Sequence, residues 1–154
     1  MTDLSQIAEL TLRMGLATAI GGAIGLNRDM HGKPVGLRML GLVALGAALA
    51  TISVSGFTAN AFPADAVSRV IQGVLAGVGF LGAGVIMRDE VGNVHRLNTA
   101  ASVWVTAAIG VVCGLGEYTI AVIGAAFVLI LLTVGAEVDH RFFGKFAKKE
   151  DARD

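Results

Sequence analysis

Gly22-Ala23-Ile24-Gly25-Leu26-Asn27-Arg28-Asp29 and Gly82-Ala83-Gly84-Val85-Ile86-Met87-Arg88-Asp89 follow the same plan. In each, a glycine-rich apolar stretch with helical character ends in an Arg-Asp pair, and a short polar loop leads into another long apolar run. Small residues let helices approach closely in lipid, and charges gathered at helix ends mark where water begins. The two stretches therefore predict an all-α integral membrane protein built on a duplicated helical hairpin, with its polar chemistry in two loops.

Composition agrees. A hydrophobic share of 55% with only 16% charged residues, and a mean hydropathy of +0.73, exceed what a soluble domain carries. Twelve Lys/Arg balance twelve Asp/Glu, so no net field draws nucleic acid. The 21 glycines lie inside apolar runs, which favours helix contact over a flexible linker. Pro34 and Pro63 fall in predicted loops. The single cysteine, Cys113, sits in an apolar run and reads as a small buried hydrophobe. Residues 1–9 carry Asp3 and Glu9 but no basic residue, which does not read as a signal peptide.

A span needs about 20 mostly apolar residues. Five segments answer this description, at about residues 7–26, 37–54, 67–87, 99–114 and 118–136, the fourth being the shortest. They make residues 1–138 one transmembrane domain, followed by a basic cytoplasmic tail over 139–154. Ten of the twelve Lys/Arg fall on one side of such an arrangement: Arg28, Lys33, Arg38, Arg88, Arg96, Arg141, Lys145, Lys148, Lys149 and Arg153. Only Arg13, placed to snorkel, and Arg69 fall towards the other. The positive-inside rule then puts the N-terminus outside and the C-terminus in the cytoplasm. Spans one and two and spans three and four form a parallel repeat, with the fifth helix added against lipid. Phe57 and Phe62 read as anchors of an outer loop. The tail, with Phe142, Phe143 and Phe146 between charges, reads as an amphipathic stub, against a frayed terminus.

Small residues at four-residue spacing, Ala17, Gly21 and Gly25 in the first span and Gly73 and Gly77 in the third, predict helix packing. Gly82 and Gly84 add packing positions and, with Gly79, room for a bend or a close backbone approach. The oxygen-bearing residues Asn27, Asp29, Asp89, Glu90 and Asn98 are of the type that takes a hard cation such as Mg²⁺. Arginines stand beside the carboxylates, so ion pairing across the loops competes with a cation or anion site. Arg28, Lys33, Arg38, Arg88 and Arg96 complete this loop cluster. His31, His95 and His140 show no metal-ligand spacing. At depth the main polar groups are Gln72, Asn98, Ser102 and Thr106, and no acid or base lies near the midplane where ion-coupled transporters place one. No nucleophile–base–acid set and no phosphate loop is present, so no enzyme activity and no cofactor is expected.

The stretches Gly25–Arg38 (GLNRDMHGKPVGLR), Leu45–Leu49, Gly77–Arg88 (GVGFLGAGVIMR), Leu97–Trp104 (LNTAASVW) and Ala107–Val111 resemble the MgtC/SapB family of bacterial inner-membrane proteins. In that family an acid usually precedes the first arginine; here Asn27 stands in its place. Longer members continue into a cytoplasmic ACT-like domain, and this chain is similar to the short, SapB-like members. The resemblance implies magnesium homeostasis and adaptation to low Mg²⁺, and an association with virulence. It also implies membrane partners such as an F-type ATP synthase or a P-type cation ATPase. The expected role is a small membrane regulator acting by helix contact, with a homodimer among the arrangements open to it. The alternative is a transporter with a site between the hairpins near Asn27, Asp29, Gly82, Gly84, Asp89 and Asn98.

Overall fold

The computed structural model describes residues 3–55, 64–88 and 94–142, with side chains for 3–55, 64–86 and 96–135. Five helices follow one another: α1 (Leu4–Met30), α2 (Leu37–Ile52), α3 (Ala64–Val85), α4 (Leu97–Leu115) and α5 (Tyr118–Phe142). Between α3 and α4 lies a two-stranded antiparallel ribbon, β1 (Met87–Arg88) and β2 (Val94–His95), pairing Met87 with His95 and Arg88 with Val94. Helices α1, α3, α4 and the Tyr118–Gly135 part of α5 are long and apolar enough to cross a membrane, and α2 is a shorter apolar helix. The molecule is a multi-pass membrane protein.

Local sequence explains the helix limits. Asp3 caps α1, accepting from the Leu4 N–H at 2.8 Å while Gln6 reaches back to the Asp3 N–H, so two orphan donors are satisfied reciprocally. At the other end of α1 the Lys33 N–H returns to the Arg28 carbonyl at 3.0 Å, through Gly32 at φ +62°. Gly116, at φ +86°, ends α4 in the same manner, with bonds from Gly116 and Glu117 back to Cys113 and Val112.

Helix α4 is the centre of the bundle. It carries buried residues from Thr99 to Gly114, and its Val103, Ile109 and Cys113 share a core with Ala17 and Ile24 of α1, Leu40, Ala44 and Ala48 of α2, and Ala121 and Ala125 of α5. Two glycine contacts hold α4 to α2: a Cβ on Gly110 would overlap the Ala44 carbonyl, and one on Gly114 would stand 2.8 Å from the Ala48 carbonyl. On α1, a Cβ on Gly21 would stand 2.6 Å from the Leu40 carbonyl and one on Gly25 would stand 2.5 Å from Leu37 Cα. With no hydrophobic force between helices in lipid, such close backbone packing carries much of the association.

These contacts also set directions. Gly110 and Gly114 meet Ala44 and Ala48 in the same order, so α2 and α4 run parallel. Helix α1 meets the start of α4 through Arg28 and its end through Arg13, so α1 runs against them. Helix α3 passes α4 with Gly82 against Ala100, and Gly124 of α5 meets Ile109.

The structure changes several expectations. The shortest helix is α2, at 16 residues, not the fourth; it is about 24 Å long, less than a typical hydrocarbon core. The two Arg-Asp endings are not alike. Arg28 and Asp29 lie on the last turn of α1, whereas α3 stops at Val85 and Arg88 belongs to a strand. Arg13, placed to snorkel by its position, also has partners within the chain: it donates to Glu9 at 2.8 Å and to the Gly114 carbonyl at 2.8 Å. Gly73, Gly77 and Gly84 have no atom within 4 Å of where a Cβ would stand, and Gly82 makes an ordinary contact at 3.6 Å. Phe57, Phe62, Asp89, Glu90 and the tail from Phe143 onwards lie outside the described residues, as do the side chains of Arg88, His95, His140 and Phe142.

Candidate functional site

At the end of α1 the chain carries a cation into the protein. Arg28 is 3% exposed, and its guanidinium makes four hydrogen bonds. Nε donates to the Val35 carbonyl at 3.1 Å and Nη2 to the Pro34 carbonyl at 2.9 Å. On the other side Nη1 donates to Ser102 Oγ at 2.9 Å and Nη2 to Thr99 Oγ1 at 2.7 Å. The planar fork of arginine thus joins three pieces of chain: the end of α1, the loop before α2, and the first two turns of α4. Every acceptor is neutral. Ion pairing between the loop arginines and carboxylates does not describe Arg28; among the described residues the ion pair found is Arg13–Glu9. A buried cation without a carboxylate is stabilised by the number and aim of its hydrogen bonds.

The acceptors are themselves ordered. Ser102 Oγ donates to the Asn98 carbonyl at 2.7 Å, and Thr106 Oγ1 to the Ser102 carbonyl at 2.7 Å. Thr99, Ser102 and Thr106 form a buried polar row along the α1-facing side of α4. Val35 adopts φ +65°, a conformation that a β-branched residue takes only when its surroundings force it. Arg28 holds its carbonyl in place.

Asp29, next to Arg28 and exposed, does different work. Its Oδ2 accepts from the Leu37 N–H at 2.9 Å, satisfying one of the free donors that begin α2 and placing a negative charge at that helix's positive end. Its carboxylate packs so closely on Gly36 that a Cβ there would overlap Asp29 Oδ1. Gly36 itself offers no side-chain cap, so Asp29 supplies it from eight residues back.

The remaining loop residues are not drawn into this knot. Lys33, Arg38, Arg96 and Asn98 are exposed, and Asn27 is half-buried with its backbone carbonyl 2.6 Å from His31 Nδ1. Arg96 begins α4 at φ +68°. Among the described residues no three His, Cys, Asp or Glu side chains converge on one point. A cavity of about 400 Å³ opens between α2 and α3, lined by apolar residues including Leu42, Gly46, Gly73, Gly77 and Leu81. None of the loop residues lines it.

A second knot ties the opposite end. Glu9 accepts from Arg13 and from the Tyr118 hydroxyl, while Arg13 holds the Gly114 carbonyl at the end of α4. A Cβ on Gly116 would stand 2.8 Å from Arg13 Nη2, so the α4–α5 turn is moulded around this arginine. Reading the residues singly found Ser102 and Thr106 as polar groups at depth. It did not find that Thr99, Ser102 and two loop carbonyls share one arginine, nor that Glu9 meets Tyr118. The available signal was the Thr99, Ser102, Thr106 spacing, which puts three hydroxyls on one helix face.

A family model described as "MgtC family" matches residues 14–141. The chain is 43% identical over 133 residues to Protein SrpB of Synechococcus elongatus, covering 80% of this chain and 73% of that protein. It is 42% identical over 144 residues to a protein of Escherichia coli K12 named "Putative magnesium transporter YhiD", covering 90% and 66%. To Protein MgtC of Salmonella typhimurium LT2 it is 42% identical over 120 residues, covering 78% and 48%. The chain thus spans between about half and three quarters of the length of these relatives. No solved structure matches it.

Proposed function

The chain belongs to the MgtC family, and on that premise we propose that it is a bacterial inner-membrane protein tied to Mg²⁺ homeostasis. In this reading it works by helix contact with other membrane proteins rather than by carrying the ion, and it catalyses no reaction. The observation that carries the proposal is the state of Arg28 and Asp29. The Arg-Asp pair that ends α1 is occupied in holding α1, the following loop, α2 and α4 together. Meanwhile α5 presents Ile123, Phe127 and Leu131 outward at 52%, 64% and 70% exposure, an apolar surface suited to a neighbouring span.

Orientation belongs to the same proposal. The ten-to-two division of Lys and Arg supports an orientation with the Arg28 end in the cytoplasm and the Arg13 end outside. The hairpins α1–α2 and α3–α4 then stand as a parallel repeat, the first tightly packed and the second loosely. Partners such as an F-type ATP synthase or a P-type cation ATPase are those the family resemblance suggests. Mg²⁺ movement is the second reading, and the name carried by the E. coli relative favours it. Its site would use the exposed Asn98 together with Asn27 and Asp29.

The test is photo-crosslinking in the native membrane from a reporter placed at Ile123 or Phe127. The proposal expects one membrane protein to be captured specifically, and capture to be lost when the reporter moves to buried Ala121. Diffuse capture of unrelated proteins from every position overturns it.

A further inference from the structure

Helix α3 is the least enclosed span. Its inner face, with Ile71, Val74 and Val78, packs against the Ala47, Ala107 and Val111 cluster of α2 and α4, and only Gly82 is buried. Its opposite face is unusual for a lipid-facing surface. Asp65, Arg69, Gln72, Ala76, Gly79 and Ala83, alternately four and three residues apart, are all exposed. That spacing lines them along one side of a helix. Three are polar and three are small, and the large apolar side chain on this side of the helix, Phe80 at 82% exposure, stands at the edge of the row beside Ala76 and Ala83. Gln72 lies about 12 Å into α3 from Ala64, and its contact within the chain is Ser68 at 3.5 Å. Among the described residues neither Asp65 nor Arg69 forms an ion pair. Polar side chains at membrane depth face protein.

We propose that this face binds the same face of a second copy of the chain, forming a parallel two-fold dimer through α3. Complementarity identifies the occupant. Copies inserted in one membrane share orientation and depth, so a two-fold axis along the membrane normal sets equivalent residues side by side. Asp65 of one copy then lies one helical turn, about 6 Å, from the level of Arg69 of the other, within reach of an arginine, and the symmetry makes this pair twice. Gln72 meets its own equivalent, and a carboxamide, carrying both donor and acceptor, hydrogen-bonds to itself. Below it Ala76, Gly79 and Ala83 let the two backbones close. A foreign partner would need a matching acid, base and carboxamide at the same depths; a second copy has them by construction. The proposal stands independently of how the protein acts on Mg²⁺ physiology.

The experiment is oxidative crosslinking, in native membranes, of variants that each carry one introduced cysteine besides the buried Cys113. Gln72→Cys, Ala76→Cys, Gly79→Cys and Ala83→Cys should each give a disulfide-linked dimer, while Val74→Cys and, on α5, Phe127→Cys should not. In parallel, fluorescence transfer between labelled copies in liposomes should fall at least tenfold in apparent association for Asp65→Arg or Arg69→Asp alone. The double exchange Asp65→Arg with Arg69→Asp should recover it. A wild-type protein showing no transfer at any lipid dilution overturns the proposal, as do crosslinks of equal yield on α5 and a double exchange that fails to recover association.

Discussion

Arg28 is where the cost and the gain of this structure are both concentrated. Burying a guanidinium costs several kcal/mol, which hydrogen bonds of good geometry offset. Replacing it with alanine releases that cost but strips two hydroxyls and two carbonyls of their donor, and bonds to a charged group are worth about 1.5–3 kcal/mol each. Arg28→Ala should therefore destabilise the protein by on the order of 3 kcal/mol, measured as thermal or denaturant unfolding in a mild detergent. Arg28→Lys should recover less than half of it, because an ammonium lacks the planar fork that reaches both sides. Arg38→Ala, at an exposed position, should stay within about 0.5 kcal/mol. Equal effects of Arg28→Ala and Arg38→Ala would contradict the holding role of the Arg28 hydrogen bonds. At this scale the sequence was partly legible. The Arg-Asp pair stood out at once as polar residues ending an apolar helix, but the partners of Arg28 did not. Thr99 and Ser102 lie more than seventy residues away, and the other two acceptors are backbone carbonyls, which residue identity does not announce. Asp29 capping α2 was hidden for a similar reason: the bond crosses a loop whose path depends on Val35 taking a positive φ.

Among the elements, what distinguishes one glycine from another is the helix standing opposite. Gly110 and Gly73 look alike in sequence, each within an apolar helix, yet Gly110 touches the Ala44 backbone and Gly73 faces open space. Gly110→Ala should push α4 from α2 and cost at least about 2 kcal/mol, as overpacking in a closed interface does. Gly73→Ala should leave unfolding unchanged or slightly improved, since alanine is the better helix former. The same detergent unfolding measurement decides, and a reversal of the order would contradict the α2–α4 packing. Helical segments were legible from hydropathy because lipid demands long apolar runs. Their ends were less so. Helix α1 runs from Leu4 to Met30, beyond its apolar part on both sides, because Asp3 and Gln6 cap one end and the Arg28 knot secures the other. The ribbon of β1 and β2 was not visible: two residues per strand carry no periodicity to read.

Seen whole, the molecule is a central α4 ringed by the other four helices and fastened at each end by an arginine drawn inward from α1. Arg13 holds the last turn of α4 and Arg28 the first, so α1 and α4 are pinned at both ends. Such an arrangement suits a body that presents fixed surfaces to neighbours; alternating access requires the segments around a site to separate, and here the polar residues are the fasteners. The claim that these residues hold helices rather than pass ions is tested most directly by Mg²⁺ uptake into proteoliposomes, read with a trapped fluorescent indicator. The account predicts that the wild-type protein, folded by its detergent unfolding profile, gives uptake no faster than protein-free vesicles, and that Asp29→Ala gives the same. Uptake that the wild type supports and Asp29→Ala abolishes would contradict it.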